Sequence, residues 1–245
     1  MKKLIRPHLP LLIEGALNIS CNIELTDNLR EVTIAFLDQI CDSFGRFLSK
    51  KHGDLLEKII KAGFKIASED VEDAEEDTEK PADFAVYMLL SCATEVPNTV
   101  SWPLFKANTV ECWQSTNISA RKAALKILGF VSESDALLDP IKDDVDELSD
   151  LLVTALKDQS EVVREAAAMC FAEFSENVIP DFLDLHEKIL PCLLTVLKES
   201  LESIASSGQN NQGKVEAVTK SLIALAEFTG NMEIENIKPY TATCV

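Results

Sequence analysis

The sequence predicts an all-α fold, an α-solenoid of about five HEAT-type helical hairpin repeats, and three observations lead there. Apolar residues make up 47% of the 245 residues while Gly numbers 8 and Pro 9. A large core is therefore available with little turn chemistry to cut the chain into many short strands. Those apolar residues recur at three-to-four spacing in segment after segment, the period of one helix face. Finally, Ser119-Ala120-Arg121-Lys122-Ala123-Ala124 is echoed by Val162-Val163-Arg164-Glu165-Ala166-Ala167 at a spacing of 43 residues. That spacing lies inside the ~40 to 47 residues of HEAT and armadillo units. The alanines after each arginine suit helices of neighbouring repeats that approach closely, since a larger side chain would hold them apart.

Each element follows in order. Residues 1–47 read as a first hairpin, with Leu4, Leu9, Leu11, Leu12, Gly15, Ala16 and Ile19 as one stripe. After the turn-forming Thr26-Asp27-Asn28, the expected stripe of its second helix is Val32, Ala35, Phe36, Gln39 and Ile40. Residues 48–97 form the second hairpin. A helix over Leu55–Ala67 buries Leu55, Leu56, Ile59, Ile60, Phe64 and Ile66, then runs into an acidic loop at 69–79. Pro81 suits the first turn of the partner helix, whose buried side is Phe84, Ala85, Met88, Leu89 and Cys92 and which ends before Pro97. This unit lacks the Val-Arg pair and departs from the HEAT pattern.

The third hairpin, 98–137, has a helix from Pro103 to Gln114, a break at Ser115-Thr116-Asn117, and a helix from Ile118 carrying Ala123, Ala124, Ile127 and Leu128. In the fourth, 138–180, Leu148–Leu156 lead through Lys157-Asp158-Gln159-Ser160 into the Val162 helix. The fifth, 181–233, joins Ile189–Leu197 to Val215–Phe228 by a long polar loop at 203–213, read as an enlarged turn. Residues 234–245 read as the opening of a further repeat.

Charge narrows the function classes. Lys and Arg total 23 against 41 Asp and Glu, a net charge of −18. Such a chain repels nucleic acid and anionic membrane and attracts basic partners. No apolar run approaches the ~18 to 20 uncharged residues of a membrane span. The start, Met-Lys-Lys, looks like the beginning of a secretion signal, but Arg6, His8, Pro10 and Glu14 interrupt any apolar core. Seven scattered cysteines read as small buried hydrophobes in a reducing compartment. His8, His52 and His186 stand apart, and there is no Cys-x-x-Cys pair, Gly-rich phosphate loop or Gly-x-Ser-x-Gly elbow. The expectation is a binding protein, with no enzyme activity, cofactor or metal.

Four features are candidate sites. Glu69, Asp70, Glu72, Asp73, Glu75, Glu76, Asp77 and Glu79 form a run of eight carboxylates without a base. It can draw basic partners at long range, or serve only as a solvated linker. Asp143, Asp144, Asp146 and Glu147, with Asp150 nearby, form a second patch near a helix start, where carboxylates also suit the macrodipole. Arg121 and Arg164 are expected to make inter-repeat pairs with residues such as Asp158. Trp102 and Trp113 read as core residues, with an interface groove as the other possibility.

The segments Ile5-Arg6-Pro7-His8-Leu9-Pro10, the acidic run with its following helix, Ser119 to Leu125, and Val163-Arg164-Glu165-Ala166-Ala167 leading to Phe174-Ser175-Glu176-Asn177 and on to Ile189-Leu190-Pro191 lie in colinear order. Together they resemble the importin-β (karyopherin-β) superfamily of nuclear transport receptors, closest to its importin-four branch. The resemblance implies an internal fragment of a solenoid of roughly twenty repeats. It also implies basic cargo proteins, such as ribosomal proteins or histones, held against an acidic concave surface and released without chemistry. Ran GTPase would bind mainly through parts of the protein outside this chain, and FG nucleoporins in clefts between outer helices. The acidic loop would face Ran or cargo, and the receptor would shuttle between cytoplasm and nucleus through nuclear pores. A static HEAT scaffold or regulatory subunit of a multiprotein complex, sharing fold and composition, is the alternative.

Overall fold

The computed structural model describes residues 2–69, 80–207 and 212–243, which are α-helical with short 3-10 turns and, among the described residues, no strand. The chain forms two compact units: residues 1–127 with 134–137, and residues 128–133 with 138–245.

In the first unit α1 (Lys2–Ile5), a 3-10 turn (Arg6–His8) and α2 (Leu9–Ser20) lead to the long α3 (Asp27–Lys51). Then come α4 (Gly53–Ala67), α5 (Pro81–Glu95), α6 (Asn98–Trp113) and the greater part of α7 (Ile118–Val131). The faces expected for α4 and α5 are the buried ones, except that Phe84 is half-buried. Pro81 occupies the first turn of α5, where its missing N–H costs no bond, and Asp83 accepts from the Lys80 amide at 3.2 Å. The same carboxylate takes the Lys126 ammonium of α7 at 2.6 Å. Burial alone would push the Asp83 carboxyl up, and Lys126 outweighs it to leave the carboxyl below its ordinary range.

The first hairpin differs in phase from the expectation. Leu4, Leu11, Val32 and Phe36 are exposed, whereas the buried stripes are Leu9–Ile13–Ala16–Ser20 on α2 and Arg30, Thr33, Ile34, Leu37, Ile40, Cys41, Phe44 and Leu48 on α3. The helix continues to Lys51, so its stripe is set over seven turns. A reading of its first three turns picks a neighbouring face. The α6 start is also earlier than Pro103: the helix opens at Asn98 and holds Pro103 inside. Those extra residues bury Trp102 to 6% exposure. Burying an indole at about 25 cal/mol per Å² outweighs the one backbone bond, about 1 kcal/mol, that the proline gives up.

Glycines show how tightly these helices meet. A Cβ on Gly63 of α4 would lie 2.8 Å from Leu89 Cγ and Cδ2 of α5, and Leu89 is fully buried with no room to swing aside. By contrast, nothing lies within 4 Å of a Cβ on Gly15 of α2. The same substitution should therefore act with opposite signs. Gly15→Ala gains helix propensity, about 0.5–1 kcal/mol. Gly63→Ala gains the same and loses about 1–3 kcal/mol to overpacking, a net loss. Urea unfolding of the two variants checks this, and equal shifts in one direction would refute it.

The second unit holds the last turn of α7, α8 (Asp135–Asp143) from Leu138 onward, α9 (Val145–Ala155) and α10 (Glu161–Asn177). It continues with α11 (His186–Ser207), α12 (Gln212–Gly230), α13 (Ile234–Ile237) and a 3-10 turn (Lys238–Thr243). Its core centres on four rings. Phe171 lies 4.8 Å from Phe182 and 5.5 Å from Phe228, and Phe174 lies 5.4 Å from Phe182, centroid to centroid. All four are fully buried. Helix α8 was not foreseen, because Pro140 inside it masks a nine-residue helix. The enlarged polar loop at 203–213 is also corrected. Helix α11 runs through Ser203 to Ser207 and α12 starts at Gln212, so the break is confined to 208–211, outside the described residues. Ser and Ala continue a helix that is already propagating, although neither would start one.

Candidate functional site

The arginines of the repeated motif have the same role in both hairpins. Arg121 Nη1 donates to the carbonyls of Ser115 at 3.1 Å and Thr116 at 3.2 Å, and Arg164 Nη1 to those of Asp158 at 2.8 Å and Gln159 at 3.1 Å. Each guanidinium thus closes the turn before its own helix by donating to two carbonyls of that turn. For Arg164 the bond to Asp158 is to the carbonyl, within one hairpin. The Asp158 carboxylate accepts from the Ser160 amide at 2.8 Å.

Of the acidic run, only Glu69 lies among the described residues; Asp70, Glu72, Asp73, Glu75, Glu76, Asp77 and Glu79 lie outside them. Glu69 pairs with Arg30 at 2.5 Å, with side-chain exposures of 18% and 5%. Arg30 Nε also donates to the carbonyl of Ser20, the last residue of α2, at 2.9 Å. Glu69 thus anchors the start of the run to α3. In the second patch, Asp143 ends α8, Asp144 caps α9, and Asp146 and Glu147 occupy the first turn of α9. There they complement the positive end of the helix dipole. Lys188 of α11 reaches this corner and pairs with Asp150 at 2.6 Å.

A third acidic group was missed by the sequence reading. Glu173 and Glu176 stand in the last turns of α10, Glu227 in the last turn of α12, and Glu133 just beyond α7. The electronegative end of a helix favours cations, yet none of these three helices has a basic residue in its last turn. Burial first, then repulsion from Glu133, Glu176 and Glu227, raises the half-buried Glu173 carboxyl above its ordinary value. Asparagine amides tie the same helix ends together: Asn177 donates to Ser132 Oγ at 3.4 Å, and Asn231 to the carbonyls of Ser175 at 3.2 Å and Glu227 at 3.1 Å. The helix ends are so brought within reach of one another. Gly129 of α7 permits it, since a Cβ there would meet the Cys170 Cα of α10 at 3.1 Å. The arrangement offers fixed negative charge to a cation, and among the described residues no group of His, Cys, Asp or Glu is placed to hold a metal ion.

Residues 88–232 match the family model described as "IPO5-like, TPR repeats". The chain belongs to the importin-β family. Its curated importin relatives include mouse (Mus musculus) Importin-4, 27% identical over 217 residues, and human (Homo sapiens) Importin-4, 26% identical over 216. These alignments cover 80% and 79% of the chain, which spans only 19% of the length of either importin. Among solved structures, Kap121p bound to Pho4p and Kap121p bound to RanGTP each align at a TM-score of 0.83 and 16% identity, over 99% of this chain and 24% of theirs. Kap121p bound to Nup53p aligns with the same score and identity. The importin fold of HEAT-type helical hairpins is therefore the fold of this chain.

Proposed function

We propose that this chain is a cargo-gripping stretch of a nuclear import receptor, in which Glu133, Glu173, Glu176 and Glu227 receive Lys and Arg side chains of basic cargo. One observation carries the reading. Four carboxylates crowd the ends of three helices where the dipoles already favour a cation, and the raised Glu173 carboxyl registers that strain. A ligand bringing positive charge relieves both the repulsion and the dipole. Cargo of this chemistry includes Lys-rich ribosomal proteins and histones. The acidic run from Glu69 to Glu79 adds long-range attraction, which raises the association rate more than the final affinity. Related Kap121p structures bound to Pho4p, RanGTP and Nup53p support cargo, Ran and FG nucleoporins as partners of the full-length protein. On this reading the receptor shuttles between cytoplasm and nucleus by binding and release alone.

The test is calorimetry of the protein with a Lys-rich histone-tail peptide across a salt series, beside the triple variant Glu173→Gln, Glu176→Gln, Glu227→Gln. Wild type should bind with an affinity that falls as salt rises, and the variant about tenfold or more weaker, some 1.4 kcal/mol. Equal binding by both would move the contact off this face. Absence of binding by either would favour the static scaffold.

Stability should move the other way. The folded pKa of Glu173 lies above its ordinary value, so its contribution is greatest below the ordinary carboxylate pKa and is lost as pH rises through the raised value. At neutral pH the charged form therefore costs stability. Glu173→Gln should raise Tm at pH 7, and that gain should vanish toward pH 4.

A further inference from the structure

The sulfurs of Cys41 and Cys92 are 3.2 Å apart, brought together from α3 and α5 across 51 positions of sequence. Both residues are fully buried, and both thiols are free. The other described cysteines sit on other elements: Cys21 caps α2, Cys112 is in α6, Cys170 in α10 and Cys192 in α11. Disulfide sulfurs lie about 2.05 Å apart, so the pair is about 1 Å from bonding distance.

We propose that Cys41 and Cys92 are a redox pair that a peroxide converts into a disulfide, stapling α3 to α5. One thiol sulfur attacks the O–O bond of hydrogen peroxide, becoming a sulfenic acid as the first water leaves. The second thiol then displaces the hydroxyl from that sulfur, forming the S–S bond and releasing the second water. Two thiols lose two electrons and two protons to one peroxide, which leaves as two waters.

In the closed structure the reaction is held back. Contact with Cys92, then burial, then the charges of Cys92 and Asp38 keep the Cys41 proton in place well above the ordinary thiol range. Asp38, one turn before Cys41, has a buried carboxylate oxygen without a hydrogen-bond partner, which adds to that field. Oxidation therefore passes through a local opening of the α3–α5 contact, and the bond records that opening. Once made, it fixes α3 to α5, the helix that follows the acidic run, and ties residues 41–92 into a closed loop, which constrains the unfolded chain.

The experiment treats the full chain with hydrogen peroxide, with and without mild urea, blocks remaining thiols with iodoacetamide under denaturing conditions, and maps tryptic peptides by mass spectrometry. The expected product is a Cys41–Cys92 linked peptide, lighter by two hydrogens than the two thiol peptides and reversed by dithiothreitol. It should form faster in mild urea, and the oxidised protein should melt several degrees higher. Cys92→Ser should abolish both peptide and shift, and Cys112→Ser should leave both unchanged. Alkylated thiols at both positions after peroxide in mild urea, sulfinic acid at either, or pairing of Cys41 with another cysteine would overturn the proposal.

Discussion

Phe171→Ala should cost about 3–5 kcal/mol, the largest loss expected from a single core substitution in this chain. The ring is fully buried on α10, and it touches Phe182, which follows the helix, and Phe228 of α12. Truncation removes the transfer free energy of the benzyl group and the two ring contacts. It also leaves a void that Phe182 and Phe228 can fill only by leaving their own contact, at 5.8 Å and 84°. Phe171→Leu keeps most of the volume and should lose under half as much. Guanidinium unfolding followed by circular dichroism measures both. If alanine costs no more than leucine, the site collapses freely and the aromatic cluster is not what holds α10 to α12.

Arg30→Ala should cost about 3 kcal/mol, more than its single charge suggests. Loss of the guanidinium strips Glu69 of its partner while the other carboxylate oxygen, Oε1, is already buried without one. It also frees the carbonyl of Ser20 at the end of α2. Arg30→Met with Glu69→Leu should recover more than half of the loss, because an apolar pair of similar volume leaves no buried charge. A double variant as unstable as the single one would mean that the Ser20 carbonyl, and not the ion pair, dominates.

These two cases also mark what could be read from residues alone. The faces of α4 and α5 were legible because Leu55, Leu56, Ile59 and Ile60, and Ala85, Met88 and Leu89, keep one phase with few apolar residues off it. The first hairpin was not, because it exposes Leu11, Val32 and Phe36 and buries Arg30, Thr33 and Ser20. A buried arginine is intelligible only with its carboxylate, and Glu69 stands 39 residues away. The same holds for the acidic sites. A contiguous run such as Glu69 to Glu79 is visible in any sequence. Glu133, Glu173, Glu176 and Glu227 become one site only when three helix ends converge. The one advance sign was the lack of Lys or Arg in the last turns of α7, α10 and α12.

The arginine bridges of Arg121 and Arg164 bear on the order in which this chain acquires structure. Each spans only five or six residues, so the loop that must close is short and its entropy cost small. Such contacts are available before any distant segment has arrived, and proteins rich in them fold quickly. A hairpin emerging from the ribosome can set its own bend while the next one is still being made. Assembly can then proceed by docking finished hairpins in sequence, with little apolar surface left waiting for a partner hundreds of residues away.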